Sequence, residues 1–201
     1  IGSANVVNGA LGSKIDLFGH SSKGNAKWGV SISTNDQDYN GEFVDWGTLI
    51  IDQYPTNTWR TLTAEEWDYV LNNRANATML KGLAQVVGVN GLVLLPDNWD
   101  MTVNTDFVPG AGGSFASNGF DANQLDAEQW QRMEAAGAVF LPATGTRIGA
   151  NIYFFNECCY YWSATSFNSN YAFYINVSAS ESYMTNNGRS TGQAVRLVKD
   201  L

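Results

Sequence analysis

Apolar and polar positions keep a helical rhythm in two early stretches and shift toward strand-like alternation after Gly149. In Trp59-Arg60-Thr61-Leu62-Thr63-Ala64-Glu65-Glu66-Trp67, Thr63 and Glu66 have the spacing of a capping box, and Leu62 and Trp67 occupy the hydrophobic-staple positions. A helix is therefore predicted from Ala64, with Trp67, Val70 and Leu71 on one face, fading over 72–76. The same grammar recurs at Leu125-Asp126-Ala127-Glu128-Gln129-Trp130, where Asp126 caps, Gln129 closes the box and Leu125 staples to Trp130. This second helix should run through Met133 and stop at Gly137, a residue free to take the left-handed conformation.

Each helix precedes an apolar run that ends in proline, Gly91-Leu92-Val93-Leu94-Leu95-Pro96 and Ala138-Val139-Phe140-Leu141-Pro142. Both read as buried extended segments, with proline marking the end of pairing. After Gly149, 160–164, 172–177 and 194–198 read as strands, separated by turn-prone 166–170 and 185–188. Two helices early and a sheet late predict an α+β fold. Residues 1–47 read as short strands and loops punctuated by glycine, and 99–123 as a Gly-, Asn- and Ser-rich loop. Within that loop Val108-Pro109-Gly110-Ala111-Gly112-Gly113 lacks the Lys and Ser or Thr of a phosphate cradle.

Composition narrows the function more than the fold. With 44% hydrophobic and 13% aromatic residues the chain can build a real core. A net charge of −8, with eleven scattered Lys and Arg, argues against a nucleic-acid partner. No apolar run reaches the ~18 residues of a spanning helix, the nearest approach being 86–95, so no membrane insertion is expected. The chain opens at Ile1 without a Met or a signal-peptide pattern, which leaves room for a removed upstream segment and gives no reading of the compartment. Cys158 and Cys159 are adjacent, so free thiols, or pairing of one with a partner chain, are expected rather than a bridge between them. His20, the single histidine, has only Asp16 nearby in sequence and reads as structural or exposed. No cluster at metal-ligand spacing exists, and no metal or cofactor is expected.

The chemistry concentrates in 151–201, where tyrosines and asparagines alternate with small scaffold residues and, between Tyr160 and Gln193, only Glu181 and Arg189 carry charge. Tyrosine offers a large amphipathic contact surface with two side-chain torsions, and Ser, Asn and Gly adapt their hydrogen bonds to what arrives. A catalytic site would need convergent titratable groups, which this stretch lacks.

Trp59-Arg60-Thr61-Leu62-Thr63 with Glu66-Trp67, Leu94-Leu95-Pro96, Phe140-Leu141-Pro142-Ala143 with Gly145 and Arg147, Tyr161-Trp162-Ser163-Ala164-Thr165, Arg189, Gly192 and Val195-Arg196-Leu197-Val198 together resemble the C-type-lectin-like fold. The closest resemblance is to its formylglycine-generating-enzyme-like branch, which includes the variable proteins of diversity-generating retroelements and related surface proteins. The resemblance implies one domain over 1–201, with an irregular part at 1–58 and a recognisable core at 59–201. It also implies display on a cell or virion surface and a C-terminal face diversified by adenine-directed mutagenesis to bind a protein or other macromolecular ligand. The variable positions it suggests are Tyr153, Phe155, Asn156, Phe167, Asn168, Asn170, Tyr171, Tyr174, Asn176, Glu181, Tyr183, Asn186 and Asn187. Alternation, with Ile175 and Val177 inward, would turn Tyr174 and Asn176 to solvent.

Two departures limit what the resemblance carries. The oxidising enzyme of this branch uses cysteines separated in sequence, whereas Cys158 and Cys159 are neighbours, so its activity does not transfer. Calcium-dependent sugar binding uses Glu-Pro-Asn or Gln-Pro-Asp with Trp-Asn-Asp, and Leu95-Pro96-Asp97 supplies only part of one triplet. Three functions compete: a diversified binding module, a structural adhesin or shell component, and, weakest for want of a partner base, a thiol-dependent enzyme.

Overall fold

The computed structural model describes residues 19–20, 42–48, 51, 53–110, 119–149, 151–179 and 182–200. In chain order the elements are β1 (Arg60–Thr61), α1 (Ala64–Asp68), β2 (Lys81–Val86), β3 (Val89–Leu94), β4 (Gln124–Leu125), α2 (Ala127–Ala135), β5 (Val139–Pro142), β6 (Thr146–Ile148), β7 (Asn151–Tyr153), β8 (Cys158–Ser166), β9 (Tyr171–Ser178), β10 (Ser182–Gly188) and β11 (Leu197–Val198). This is an α+β architecture with two α-helices and mostly antiparallel sheets, as the sequence pattern predicts.

Both helices start where their caps are written. Thr63 Oγ1 accepts from the Glu66 amide at 3.1 Å while Glu66 Oε2 accepts from the Thr63 amide at 2.8 Å. Asp126 and Gln129 exchange the same pair of bonds at 2.8 and 2.9 Å, so each box satisfies two amides that a helix start leaves without partners. Glu66 also receives two 2.8 Å bonds from the Arg60 guanidinium, and this pairing, above all, holds its carboxyl below the usual carboxylate range. α1 widens into a π-helical turn over Tyr69–Asn73 before it ends. At the other helix Gly137, at φ +98°, turns the chain so that its amide reaches Glu134 O and the Ala138 amide reaches Met133 O, a Schellman ending.

The four-stranded sheet runs β4-β2-β3-β5, antiparallel except for the parallel β2–β4 pair. Leu83, Leu92 and Leu141 are aligned across three of its strands and fully buried on one face. They pack against Trp67, Cys159, Tyr161, Ile175 and Val177, joining this sheet to the three-stranded sheet β10-β9-β8. Ala84, Val86 and Val93 point the other way, into a second cluster with Phe107, Leu125 and Met133 of α2. Fully burying side chains of this size stabilises by roughly 1.5–3 kcal/mol each.

The N- and C-terminal parts of the described core are stitched together through α1. The Trp67 indole N–H donates to Trp162 O at 3.3 Å, the Ala164 amide to Leu62 O at 2.8 Å, and the Ala64 amide to Thr165 Oγ1 at 3.0 Å. β1 and β11 close the seam as an antiparallel pair.

Several expectations change. Residues 185–188 are not a turn but part of β10, paired residue for residue with β9 from Ser182 to Gly188. Thr and Asn are tolerated there because β10 is an edge strand, with one side of its backbone unpaired in the sheet. Of 194–198 only Leu197–Val198 forms a strand; Ala194 instead makes an isolated parallel bridge to Tyr161. The loop between Trp99 and Asn123 is held by the Asn123 side chain, which accepts from the Val108 amide and donates to Leu83 O and Val108 O. Much of 1–47, and 111–118 of the glycine-rich loop, lie outside the described residues.

Candidate functional site

The C-terminal sheet has two unlike faces. Antiparallel pairing sets Tyr160 beside Asn176 and Asn176 beside Tyr183, with Trp162 beside Tyr174 and Tyr174 beside Thr185 in the next row. Because directly paired residues share a face, Tyr160, Trp162, Tyr174, Asn176, Tyr183 and Thr185 stand together opposite the core side chains Cys159, Tyr161, Ile175, Val177 and Met184.

Aromatic rings tile this outer face. Phe154 meets Tyr160 at 6.3 Å between centroids, Tyr160 meets Tyr174 at 5.6 Å, and Tyr174 meets Trp162 at 5.9 Å, all edge to face. His20 closes the far end, 5.2 Å from Trp162 and 4.6 Å from Phe43. Its Nε2 lies 3.0 Å from Ser163 O, and its amide donates to Arg189 O at 2.9 Å. Burial first, then the nearby Arg189 charge, lowers its pKa to about 3, so the ring is neutral and Nε2 carries the donating proton. Burial likewise pushes the Tyr174 phenol up to about 12, and raises Tyr160 with help from its hydrogen bond to Cys158. These phenols are protonated donors at neutral pH.

The turn after β7 is built to project apolar side chains. Gly145, at φ +67°, lets the chain come so close that a Cβ there would lie 2.8 Å from the Phe155 amide nitrogen. Phe154 and Asn156 also take positive φ, an uncommon conformation for residues with side chains. Asn156 holds the turn: its Oδ1 accepts from the Asn90 amide at 2.8 Å, its carbonyl from Asn90 Nδ2 at 2.9 Å, and its amide donates to Ala143 O at 2.8 Å. Ile152, Tyr153, Phe154 and Phe155 consequently all face solvent, Phe155 at 71% exposure.

At the opposite end of β8, Asn168 Oδ1 accepts from the amides of Asn170 and Tyr171 at 2.8 and 2.9 Å, an Asx-type closure of the hairpin turn. Phe167 rests edge-on against Phe173 at 5.4 Å yet remains exposed, as does Tyr171.

The thirteen positions suggested from sequence therefore separate into groups. Tyr153 and Phe155 flank the outer face, and Tyr174, Asn176, Tyr183 and Asn187 belong to it by register. Phe167, Asn168 and Asn170 sit at the turn beyond the Ser166 end of β8, roughly 25 Å along an extended strand from its Cys158 end, whereas Tyr171 pairs with Gly188 and so adjoins Asn187. Asn186 pairs with Phe173 and stands on the side opposite Asn187. Glu181 lies outside the described residues. The expectation that Asn176 faces solvent is corrected: at 7% exposure it is buried between Tyr160 and Tyr183, and its Nδ2 donates to the Tyr183 hydroxyl at 2.8 Å. Asn156 and Asn168 hold turns through their side-chain oxygens. Sequence reasoning passed over Ile152, Phe154 and Tyr160, although four apolar residues in a row before Asn156 were a visible signal.

Both cysteines are buried thiols outside any disulfide. Cys159 Sγ donates to Leu141 O at 3.4 Å, and burial pushes its thiol up to about 12, which keeps it protonated and non-nucleophilic. Arg147 props the base of the region, exchanging backbone bonds of 2.7 and 2.8 Å with Gly192 and donating from its guanidinium to Gly149 O and Ser190 O. Among the described residues no three His, Cys, Asp or Glu side chains converge as metal ligands, and no helix is long and apolar enough to cross a membrane. Compared with protein-family models, curated proteins and solved structures, the chain matches none of them.

Proposed function

We propose that this chain is a ligand-binding display protein of C-type-lectin-like fold, whose C-terminal surface is diversified to contact a macromolecular ligand, a protein in the first instance. The observation that carries this reading is the run Ile152-Tyr153-Phe154-Phe155, exposed throughout and continuous through Phe154 with the aromatic outer face that ends in exposed Tyr183. An exposed apolar group of this kind marks an interaction site more often than idle surface. Aromatic side chains are also enriched at protein interfaces, and tyrosine is among those that dominate affinity there. The scaffold beneath supports the reading, because Trp162, Ala172, Ile175 and Val177 are buried under or beside the surface positions.

The test is to sequence the coding segment for 151–193 from many individual genomes of the source population. Adenine-directed substitutions confined to codons such as those of Tyr153, Phe155, Phe167, Tyr171 and Tyr183 are expected. A uniform segment, or substitutions that strike Trp162 and Ile175 as often, would defeat the diversified reading and favour a structural adhesin or shell component.

A further inference from the structure

Away from the aromatic face, a cleft of about 460 Å³ opens where the β1–β11 pair meets α1 and the ends of β3 and β5. That volume lies within the roughly 300–1,000 Å³ range of small-molecule sites. Trp59, Leu62, Val70, Pro96, Val139 and Leu141 give it apolar walls. Its charged lining residues are Arg74, Arg196 and Lys199, with no acidic side chain among them, in a chain with 19 acidic and 11 basic residues.

The nearby carboxylates are already engaged. Asp97 pairs with Arg74 at 3.2 Å, and Asp200 with Arg60 at 3.0 Å. Arg74 is further fixed by donating to Leu95 O and Leu80 O, both at 2.9 Å. Lys199 is positioned over the Tyr54 ring, 5.2 Å from its centroid. Arg196 is exposed and makes no hydrogen bond or ion pair with any described residue. Two cations are thus left over at the mouth of an apolar recess, where an ion pair is less screened than in open water.

We propose that this cleft binds a small organic monoanion, with its aliphatic or aromatic body against Trp59 and Leu62 and its carboxylate held by Arg196 and Lys199. An arginine fork fits a carboxylate through two parallel charge-assisted bonds. The apolar walls select against small hydrophilic anions, and the surplus positive charge selects against cationic amphiphiles. A protein segment or a second copy of the chain is the competing occupant.

Isothermal titration of the full chain with decanoate, acetate and decyltrimethylammonium separates these possibilities. One decanoate should bind per chain, with acetate and decyltrimethylammonium each weaker by about tenfold or more. Arg196→Glu, a change at an exposed site, should weaken decanoate by about tenfold or more, whereas Arg196→Lys should retain most of the affinity. Val70→Trp, which fills the recess, should abolish binding in a variant that still melts cooperatively. Tyr183→Ala should leave decanoate affinity unchanged, which separates this site from the aromatic face. The proposal is overturned by absence of decanoate binding at millimolar concentration, by equal binding of the cationic amphiphile, by indifference to Arg196→Glu, or by dimerisation on sedimentation that decanoate does not reverse.

Discussion

Strands β8, β9 and β10 carry two chemistries on one backbone. The inner face presents Cys159, Tyr161, Ile175, Val177 and Met184 to a second sheet, and its hydrogen-bonding tips are spent within the core, the Tyr161 hydroxyl on Pro142 O at 3.0 Å and the Cys159 thiol on Leu141 O at 3.4 Å. The outer face presents Tyr160, Trp162 and Tyr174, whose rings touch edge to face, together with Asn176 hydrogen-bonded to Tyr183. The inner face has a partner of fixed shape, so close packing decides its residues. The outer face is only partly covered, by His20, Phe43 and Phe154, and grades from the buried Trp162 to Tyr183 at 43% exposure. Stability resides at one end of that gradient, and freedom to vary at the other.

The sharpest break should come from truncation. Trp162→Ala should cost about 3–5 kcal/mol and Ile175→Ala about 2–5 kcal/mol, because both leave cavities in well-packed surroundings. Tyr183→Ala, at an exposed edge, should stay within about 1 kcal/mol despite losing its bond to Asn176. Urea unfolding of the three variants measures the contrast, and equal losses would erase the distinction between the faces.

Next in size is Gly145→Ala. A side chain at φ +67° facing the Phe155 amide should cost about 1–3 kcal/mol of stability. Because the crowding falls on the turn itself, the amide resonances of 153–156 should shift more than those of β9.

Acid should reach the outer face before the inner one. His20 has its folded pKa lowered from 6.5 to about 3, so the unfolded chain binds the proton more readily and stability is lost as pH falls below 6.5. The slope contributed by this group rises from about 0.7 kcal/mol per pH unit at 6.5 to about 1.2 at 5.5, above the range where most carboxylates titrate. His20→Gln should flatten that part of the profile, and an unchanged slope would show that the ring is not held neutral.

The smallest effects belong to the caps. Thr63→Ala and Asp126→Ala should each lower stability by about 0.5–2 kcal/mol and leave any ligand affinity as it was. An unchanged unfolding midpoint would mean that the box bonds at Glu66 and Gln129 contribute nothing.

What the sequence made legible follows from the range of the interactions involved. Capping boxes are written within four residues, so Thr63–Glu66 and Asp126–Gln129 could be read directly. The apolar runs before Pro96 and Pro142 announced β3 and β5, and Ile175 and Val177 were legible as core by their alternation. The edge strand β10 was not, since its Thr-Asn-Asn vocabulary is that of turns and its pairing with β9 is a tertiary fact. Nor could alternation reveal what covers the side opposite Ile175. Asn176 takes the outward parity but is enclosed by Tyr160 and Tyr183, and Trp162 is capped by His20, whose contact with Ser163 spans 143 positions. The division of the suggested surface between the two ends of β8 likewise depends on strand length and register, which composition does not encode.

The most direct measurement is a proteolysis-resistance scan of every substitution over 151–193. The expected result is broad tolerance at Tyr153, Phe155, Phe167, Asn170, Tyr171 and Tyr183, beside sharp intolerance at Tyr161, Trp162, Ala172, Ile175 and Val177. Equal intolerance in the two sets would contradict it, since the exposed aromatics would then be holding the fold together rather than standing free for a ligand.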